Sequence, residues 1–215
     1  MKLFLASEAK NPKSLKKLEE YIGGFKNKTI TYIPTAANGE GWESWKQGGS
    51  WNLIQTLGAK INLVLLEEHR NSSVVNLIKG KDIIWFAGGS AGYLLYWLRR
   101  CELADHLKEI LAEGTIYVGS SAGSMITYKN INLVSWYIGE NEPGAEVIPG
   151  LNLVDFEIYP HYEDKLFTEI KTRYLKSKGK KLYLLKNDEV IIVEDGNIKI
   201  IGEERLLINN SNDFI

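Results

Sequence analysis

Thr115-Ile116-Tyr117-Val118-Gly119-Ser120-Ser121-Ala122-Gly123-Ser124-Met125 is the stretch on which the fold turns. Its first half is a short apolar run suited to a buried strand, and its second half can start a helix. Between them stands Gly119-x-Ser121-x-Gly123, the spacing of a nucleophile elbow. In such a turn the serine is held in a tight conformation and projects from the carboxyl edge of the sheet. Small neighbours let the chain fold back without clashes. The N–H of Ala122 then points to where an oxyanion would form, and the positive end of the next helix adds to it. Gly and Ser also suit a plain strand-to-helix turn, where they serve only as caps. The rest of the chain has to choose between these readings.

Upstream, strands and helices alternate. Lys2–Ala6 reads as a strand. Asn11 caps a helix with Pro12 at its first position, carried by Leu15, Leu18, Tyr21 and Ile22 and ended by Gly23-Gly24. Thr29–Ile33 is a second strand, cut by Pro34 and followed by a loop over 35–41. Residues 42–57 read as a helix that Gly48-Gly49 weakens. A third strand lies within 59–66, and Asn71 or Ser72 caps a short helix through Leu77. Asp82–Phe86 is a nearly all-apolar strand, as expected where both faces of a parallel sheet are covered. It opens into Ala87-Gly88-Gly89-Ser90-Ala91-Gly92. Helices follow over 93–100 and 102–113.

Downstream the alternation changes. Residues 131–138 are apolar and aromatic, and 139–150 form a Gly-, Pro- and Glu-containing loop. Val154–Tyr159 alternates with period two and reads as a half-exposed strand that stops at Pro160-His161-Tyr162. A helix is expected over 164–175. Lys181–Leu185, Val190–Val193 and Ile198–Ile201 read as strands. The last two are joined by Glu194-Asp195-Gly196-Asn197, a hairpin turn. One more strand is expected after Gly202. Together these give a single α/β domain over 1–215, a three-layer sandwich with a mainly parallel central sheet and an antiparallel edge.

A serine nucleophile needs a base. The chain has three histidines. His69 lies in a charged loop and His106 beside the apolar face of a helix. His161 follows a strand end, where catalytic side chains are commonly mounted, and is the candidate base. The second oxyanion donor is expected from Gly88-Gly89, since glycine lets backbone amides approach a substrate without a Cβ in the way.

Composition narrows the function class. The 215 residues are 44% hydrophobic and 25% charged, which suits a globular domain with a sizeable core. The formal net charge of −1 gives no pull toward nucleic acid or anionic membranes. No stretch approaches the ~20 apolar residues of a membrane span, and the N-terminal apolar run is too short for a signal peptide. The single cysteine, Cys101, allows neither an intrachain disulfide nor a cysteine-based metal cluster. A cytoplasmic location is the expectation. No feature specifies an oligomeric state. Trp42, Trp45 and Trp51, at spacings of 3 and 6, favour packing on the sheet over covering a pocket.

At this point the blocks Phe86-Ala87-Gly88-Gly89-Ser90, Gly119-Ser120-Ser121-Ala122-Gly123-Ser124 and Pro160-His161-Tyr162 resemble the signature blocks of the S51 peptidases, peptidase E and cyanophycinase. Ile33-Pro34-Thr35-Ala36-Ala37 sits where that family has a similar strand-end loop, and the likeness runs from about residue 2 to 201. The resemblance implies a fold akin to class I glutamine amidotransferases and a cytoplasmic serine peptidase that uses no metal or other cofactor. It makes Ser121 the nucleophile, His161 the base, and Gly89 and Ala122 the oxyanion donors. Its substrates would be short peptides, including those with N-terminal Asp.

Two positions depart from the family pattern. The acid expected some two dozen residues after the histidine falls on Leu185-Lys186-Asn187-Asp188-Glu189. An ungapped reading puts Asn187 there, with Asp188 and Glu189 one and two residues further. An asparagine can orient a histidine through its amide oxygen without stabilising the imidazolium as a carboxylate does. The alternative function is therefore an impaired homologue that binds a peptide or small molecule. Ser90 replaces the Asn usual in peptidase E. A cation for an N-terminal aspartate would have to come from Lys165, Lys171 or Arg173.

Overall fold

The structure, a computed structural model, describes residues 1–131, 148–177 and 179–209. Its main sheet contains β1 (Lys2–Ala6), β2 (Thr29–Ile33), β3 (Lys60–Leu63), β4 (Ile83–Phe86) and β5 (Ile116–Ser120). Short β6 (Asn130–Ile131) and β7 (Ile148–Pro149) pair with each other alone. A smaller sheet takes β8 (Glu157–Tyr159), β9 (Lys181–Leu184) and β12 (Leu206–Ile208), while β10 (Val190–Glu194) and β11 (Asn197–Ile201) complete the main one. The main order is β11-β10-β1-β5-β4-β2-β3. Its β1, β5, β4, β2 and β3 run parallel, and β10 and β11 form the antiparallel edge expected from the sequence.

Period-two alternation sorts the strand residues to two faces. Phe4, Ile30, Tyr32, Trp85 and Val118 pack under α1 (Pro12–Ile22) and beside Ile54. Leu3, Leu5, Ile33, Ile84, Phe86 and Tyr117 pack on the other face. The helices α2 (Thr35–Asn38), α3 (Gly49–Ile54), α4 (Val75–Ile78), α5 (Ala91–Arg100) and α6 (Leu103–Ala112) follow in chain order. Of these, α4, α5 and α6 send Ile78, Leu94, Leu98, Leu107 and Ile110 onto that second face. The short α7 (Ala122–Met125) and α8 (Phe167–Tyr174) complete the set.

Local chemistry fixes the clearest boundaries. Asn11 Oδ1 accepts the Lys13 N–H at 3.0 Å, and Gly23 at φ 74° ends α1 in the left-handed region. At the hairpin, Asp195 (φ 49°) and Gly196 (φ 86°) both take positive φ between the paired Glu194 and Asn197. Two successive positive φ values define the turn whose twist matches the flanking strands.

Several expectations need correction. The loop over 35–41 contains α2, a single helical turn. The helix over 42–57 is broken into a 3-10 turn at Ser44–Gln47 and α3, because Gly48 is extended (φ −71°, ψ 137°). Trp45 and Trp51 meet edge to face at 5.2 Å, and Trp51 stacks on Tyr32, so both pack on the sheet; Trp42 is exposed. Asn71 and Ser72 do not cap α4: both have left-handed φ, and α4 starts at Val75. The strand over 154–159 is β8 alone and is buried on both faces. Its far side lies under α8, where Tyr159, Leu182, Leu184, Ile170 and Tyr174 form a separate cluster. The expectations for 131–138 and 139–150 fall almost entirely on residues 132–147, outside those described.

Candidate active site

Topology brings the candidate residues together. Strands β1 and β5 run parallel, with Ala6 opposite Ser120, while antiparallel β10 begins at Val190, also opposite Ala6. The carboxyl ends of β1 and β5 therefore meet the loop that enters β10. That edge carries Ser7, Ser121 and the 186–189 turn.

Ser121 has φ 49° and ψ −110°, a sparsely populated conformation for any non-glycine residue. Such a backbone costs about 1–3 kcal/mol and persists only when its surroundings fix it. They do so here. The Ser121 N–H donates to Ala6 O at 3.1 Å, and the N–H groups of Ser124 and Met125 return to Ser121 O at 2.8 and 3.0 Å. A Cβ on Gly119 would lie 2.7 Å from Gly123 O, and one on Gly123 would lie 2.6 Å from Phe86 O. Both glycines of the motif are thus required by backbone approach. The buried Tyr117 hydroxyl also donates to Gly123 O at 2.5 Å, and burial pushes that phenol's pKa well up, so it stays a donor.

His161 lies just past β8. Its Nε2 is 3.0 Å from Ser121 Oγ, and its Nδ1 is 2.7 Å from Asn187 Oδ1. With Nδ1–H donating to the amide oxygen, Nε2 is left with a lone pair that accepts the Ser121 O–H. The His161 backbone is itself left-handed (φ 54°), and its N–H donates to the buried Ser7 Oγ at 2.8 Å. Ser7 was not singled out in the sequence. A lone serine directly after an apolar strand carries no signal until β8 arrives beside it.

The three polar residues of the 187–189 turn go to three different partners. The Glu189 N–H donates to Lys186 O at 2.9 Å, closing a turn with Asn187 and Asp188 at its centre. Asn187 faces His161. Asp188 is not brought to His161: its carboxylate accepts from Lys13 Nζ at 2.7 Å, a hydrogen bond that holds its pKa below the usual carboxylate range. Glu189 is buried and accepts from Lys186 N (2.8 Å), Glu203 N (3.0 Å) and Arg205 Nη1 (2.7 and 2.9 Å). Its side chain and that of Arg205 are only 8% and 11% exposed, so this is a buried pair that builds the turn. The Tyr162 N–H to Leu185 O and Leu185 N–H to Tyr159 O bonds, both 2.9 Å, tie the His161 loop to the same turn.

On the other side of Ser121 lies the loop after β4. A Cβ on Gly88 would sit 3.2 Å from Ser121 Cβ. Gly89 has φ 133°, and a Cβ there would fall 2.3 Å from Ala36 O. Among the described residues, neither the Gly89 nor the Ala122 N–H meets an acceptor. Since α7 is a single turn, its macrodipole adds little, contrary to the expectation, and the Ala122 N–H acts as an individual donor. Ser90 caps α5, its Oγ accepting the Tyr93 N–H at 3.2 Å.

The other candidates lie elsewhere. His69 Nδ1 is 3.4 Å from Ser73 Oγ, and His106 is half-buried on α6. Lys165 pairs with Glu163 (2.6 Å) and Arg173 with Glu169 (2.6 Å), while Lys171 lies over the Phe167 ring. A cavity of about 450 Å³ flanks His161 and Asn187, bounded by Tyr162 and by Glu163, Lys165, Asp164 and Lys186, which form two ion pairs. Among the described residues no cluster of His, Cys, Asp or Glu is arranged to hold a metal, and no helix is long and apolar enough to cross a membrane.

Known proteins share this arrangement of chain and fold. The sequence profile of Peptidase family S51 matches residues 3–201. An uncharacterized peptidase of Pasteurella multocida (strain Pm70) is 29% identical over 207 residues, covering 95% of this chain and 99% of that relative. A peptidase E of a Nostoc species is 25% identical over 192 residues, covering 84% of this chain and 75% of its own length. The crystal structure of a candidate peptidase E protein from Listeria monocytogenes EGD-e superposes with a TM-score of 0.76 at 26% identity, over 93% of this chain and 97% of that one.

Proposed function

The chain belongs to peptidase family S51 and is a hydrolytic peptidase with a peptide substrate, and we propose that Ser121 is its nucleophile, His161 its general base and Asn187 the group that orients His161. The observation that carries this reading is the position of His161, with one ring nitrogen 3.0 Å from Ser121 Oγ and the other 2.7 Å from Asn187 Oδ1. In this reading Ser121 Oγ attacks the scissile carbonyl while Nε2 takes its proton. The carbonyl oxygen becomes an oxyanion between the Gly89 and Ala122 N–H groups. Nε2–H then protonates the leaving amine, and a water, deprotonated by the same nitrogen, hydrolyses the acyl-enzyme. Asp188 takes no part, since Lys13 holds it.

The amide of Asn187 serves only one tautomer. Its oxygen must face Nδ1–H, because an NH2 group there would demand a lone pair on Nδ1 and put the proton on Nε2, where it blocks the base. A neutral oxygen fixes geometry but adds less than a carboxylate to the stability of the imidazolium formed during attack.

Short peptides are the substrates this reading favours. For N-terminal aspartate, Lys165 and Arg173 already hold carboxylates, so a substrate panel should not be confined to Asp-X dipeptides. The second reading, a binding protein that has lost turnover, draws on Asn187 standing where the family pattern has an acid. A tagged fluorophosphonate, with the adduct located by mass spectrometry, separates the two. An adduct on Ser121 that His161→Ala abolishes supports the enzyme, and no adduct on the folded protein supports the binding protein. In a dipeptide panel, Ser121→Ala should lose turnover while staying folded.

A further inference from the structure

We propose that Glu67 is a positioning residue for the oxyanion loop, acting through α2 on Gly89; the inference rests on the assignment of Gly89 N–H as an oxyanion donor. Glu67 lies in the 3-10 turn Leu66–Glu68 that follows β3, at the far edge of the parallel sheet from β1.

The argument starts from the weakness of α2. It is four residues long, and no side chain caps it: its N-cap is Pro34. An isolated turn of that length does not hold itself, because a helix nucleus fixes several dihedrals for one hydrogen bond. Something outside must hold it. Glu67 Oε2 accepts the Thr35 hydroxyl at 2.9 Å and Oε1 accepts Asn38 Nδ2 at 2.8 Å. These residues are three apart and lie on the same side of the turn. One carboxylate thus clamps both ends of α2. The clamp is tied in further: Thr35 Oγ1 accepts the Leu66 N–H at 3.1 Å, and Asn38 Oδ1 accepts the Glu43 N–H at 2.9 Å. Thr35 and Asn38 are buried, so these bonds are poorly replaced by water.

The other side of α2 supports the loop beside Ser121. Ala36 O accepts the Ser90 N–H at 2.9 Å. A Cβ on Gly89 would fall 2.3 Å from Ala36 O and 2.6 Å from Ala37 N, so the Gly89 backbone rests directly on the α2 backbone. One on Gly39 would fall 2.6 Å from Ser90 Cβ. With no side chain in between, a displacement of α2 passes straight to the Gly89 peptide. Oxyanion donors work only near 2.7–3.1 Å from the developing charge, and shifts of about 0.5 Å erode them. Glu67 therefore bears on turnover without touching the substrate.

The test uses the full chain and needs no identified peptide. The rate constant for phosphonylation of Ser121 by the fluorophosphonate probe is measured for wild type, Glu67→Gln and Glu67→Ala, because the probe's phosphoryl oxygen takes the oxyanion's place. Glu67→Ala should slow phosphonylation about tenfold, a loss of one neutral-to-charged donor's partial alignment. Glu67→Gln, which keeps one acceptor for Thr35 or Asn38, should lose less. With the fastest dipeptide of the panel, the loss should appear in kcat and leave KM within about twofold. A folded variant with a lowered Tm and an unchanged phosphonylation rate would overturn the inference, since a structural role alone predicts that outcome. If Glu67→Ala does not fold, Glu67→Gln decides by the same two readings. Absence of a Ser121 adduct in the wild type would defeat the serine-nucleophile reading and this inference together, whereas a labelled wild type with indifferent Glu67 variants would defeat this inference alone.

Discussion

Replacing Asn187 by Asp tests the triad most directly, because it changes charge with almost no change in shape. The amide oxygen at 2.7 Å from His161 Nδ1 becomes a carboxylate oxygen at the same reach. For charge centres about 4 Å apart, Coulomb's law gives about 4 kcal/mol at an effective dielectric of 20. Asn187 is exposed, so water screens much of that. A hydrogen bond to a charged group contributes about 1.5–3 kcal/mol against about 1 for a neutral one, so the net gain at the imidazolium is about 1–2 kcal/mol. In kcat that is roughly a tenfold rise. Asn187→Ala should lower kcat about 10- to 100-fold by releasing the ring. Asp188→Asn should leave kcat unchanged, because Asp188 is held by Lys13. Steady-state kinetics on the fastest dipeptide reads all of these. An Asn187→Ala variant as active as wild type, or an Asn187→Asp variant no faster than wild type, would refute the assignment of Asn187.

Other substitutions probe the supports. Ser7→Ala removes the acceptor of the His161 N–H and should cost about 1–3 kcal/mol in kcat/KM, with Ser7→Thr recovering part of it. Gly89→Ala places a methyl 2.3 Å from Ala36 O at φ 133°; strain and overpacking together should lower stability by about 2–4 kcal/mol in urea unfolding and abolish turnover. Glu189→Ala strips Arg205 of its buried partner, leaving it only the exposed Glu203, and orphans the Lys186 and Glu203 N–H groups; it should lower stability by about 3–5 kcal/mol and activity with it, whereas the same change at Asp188 should do neither. Asp82 accepts from Thr29 N (2.7 Å), and that backbone hydrogen bond, with the Thr29 hydroxyl and Lys28 adding to it, lowers its pKa. A lowered carboxylate contributes stability above its unfolded pKa and loses it as pH falls through the folded value. Acid unfolding below about pH 4 should therefore be less steep in Asp82→Asn, as circular dichroism against pH will show.

Much of the architecture is written in local patterns, and these survive folding because they are local. Short, nearly continuous apolar runs set β1, β2, β4, β5 and β10, and the caps at Asn11 and Gly23 set α1. The Gly119-x-Ser121-x-Gly123 spacing marks the elbow because both glycines are demanded by backbone contact close in sequence or on the neighbouring strand. Elimination among three histidines also needs only the sequence, since His69 lies in a charged loop and His106 beside the apolar face of a helix. What failed were readings that depend on what covers an element. The alternation of 154–159 signals an exposed face, yet α8 covers it and buries Glu157.

The third member of the proposed triad is the clearest case. Asn187, Asp188 and Glu189 are consecutive polar residues in a turn, and nothing local tells them apart. Their roles are divided by partners far along the chain: His161 for Asn187, Lys13 from α1 for Asp188, and Arg205 beyond the hairpin for Glu189. The same holds for Ser7 and Glu67, whose hydrogen bonds reach His161 and α2 only once the sheet has ordered its strands. Sequence determined which backbone turns and which chemical groups are present, because those follow from steric and hydrophobic rules within a few residues. Tertiary structure decided which polar group faces which, because a hydrogen bond is directional and its partner is chosen by topology rather than by neighbourhood in the chain.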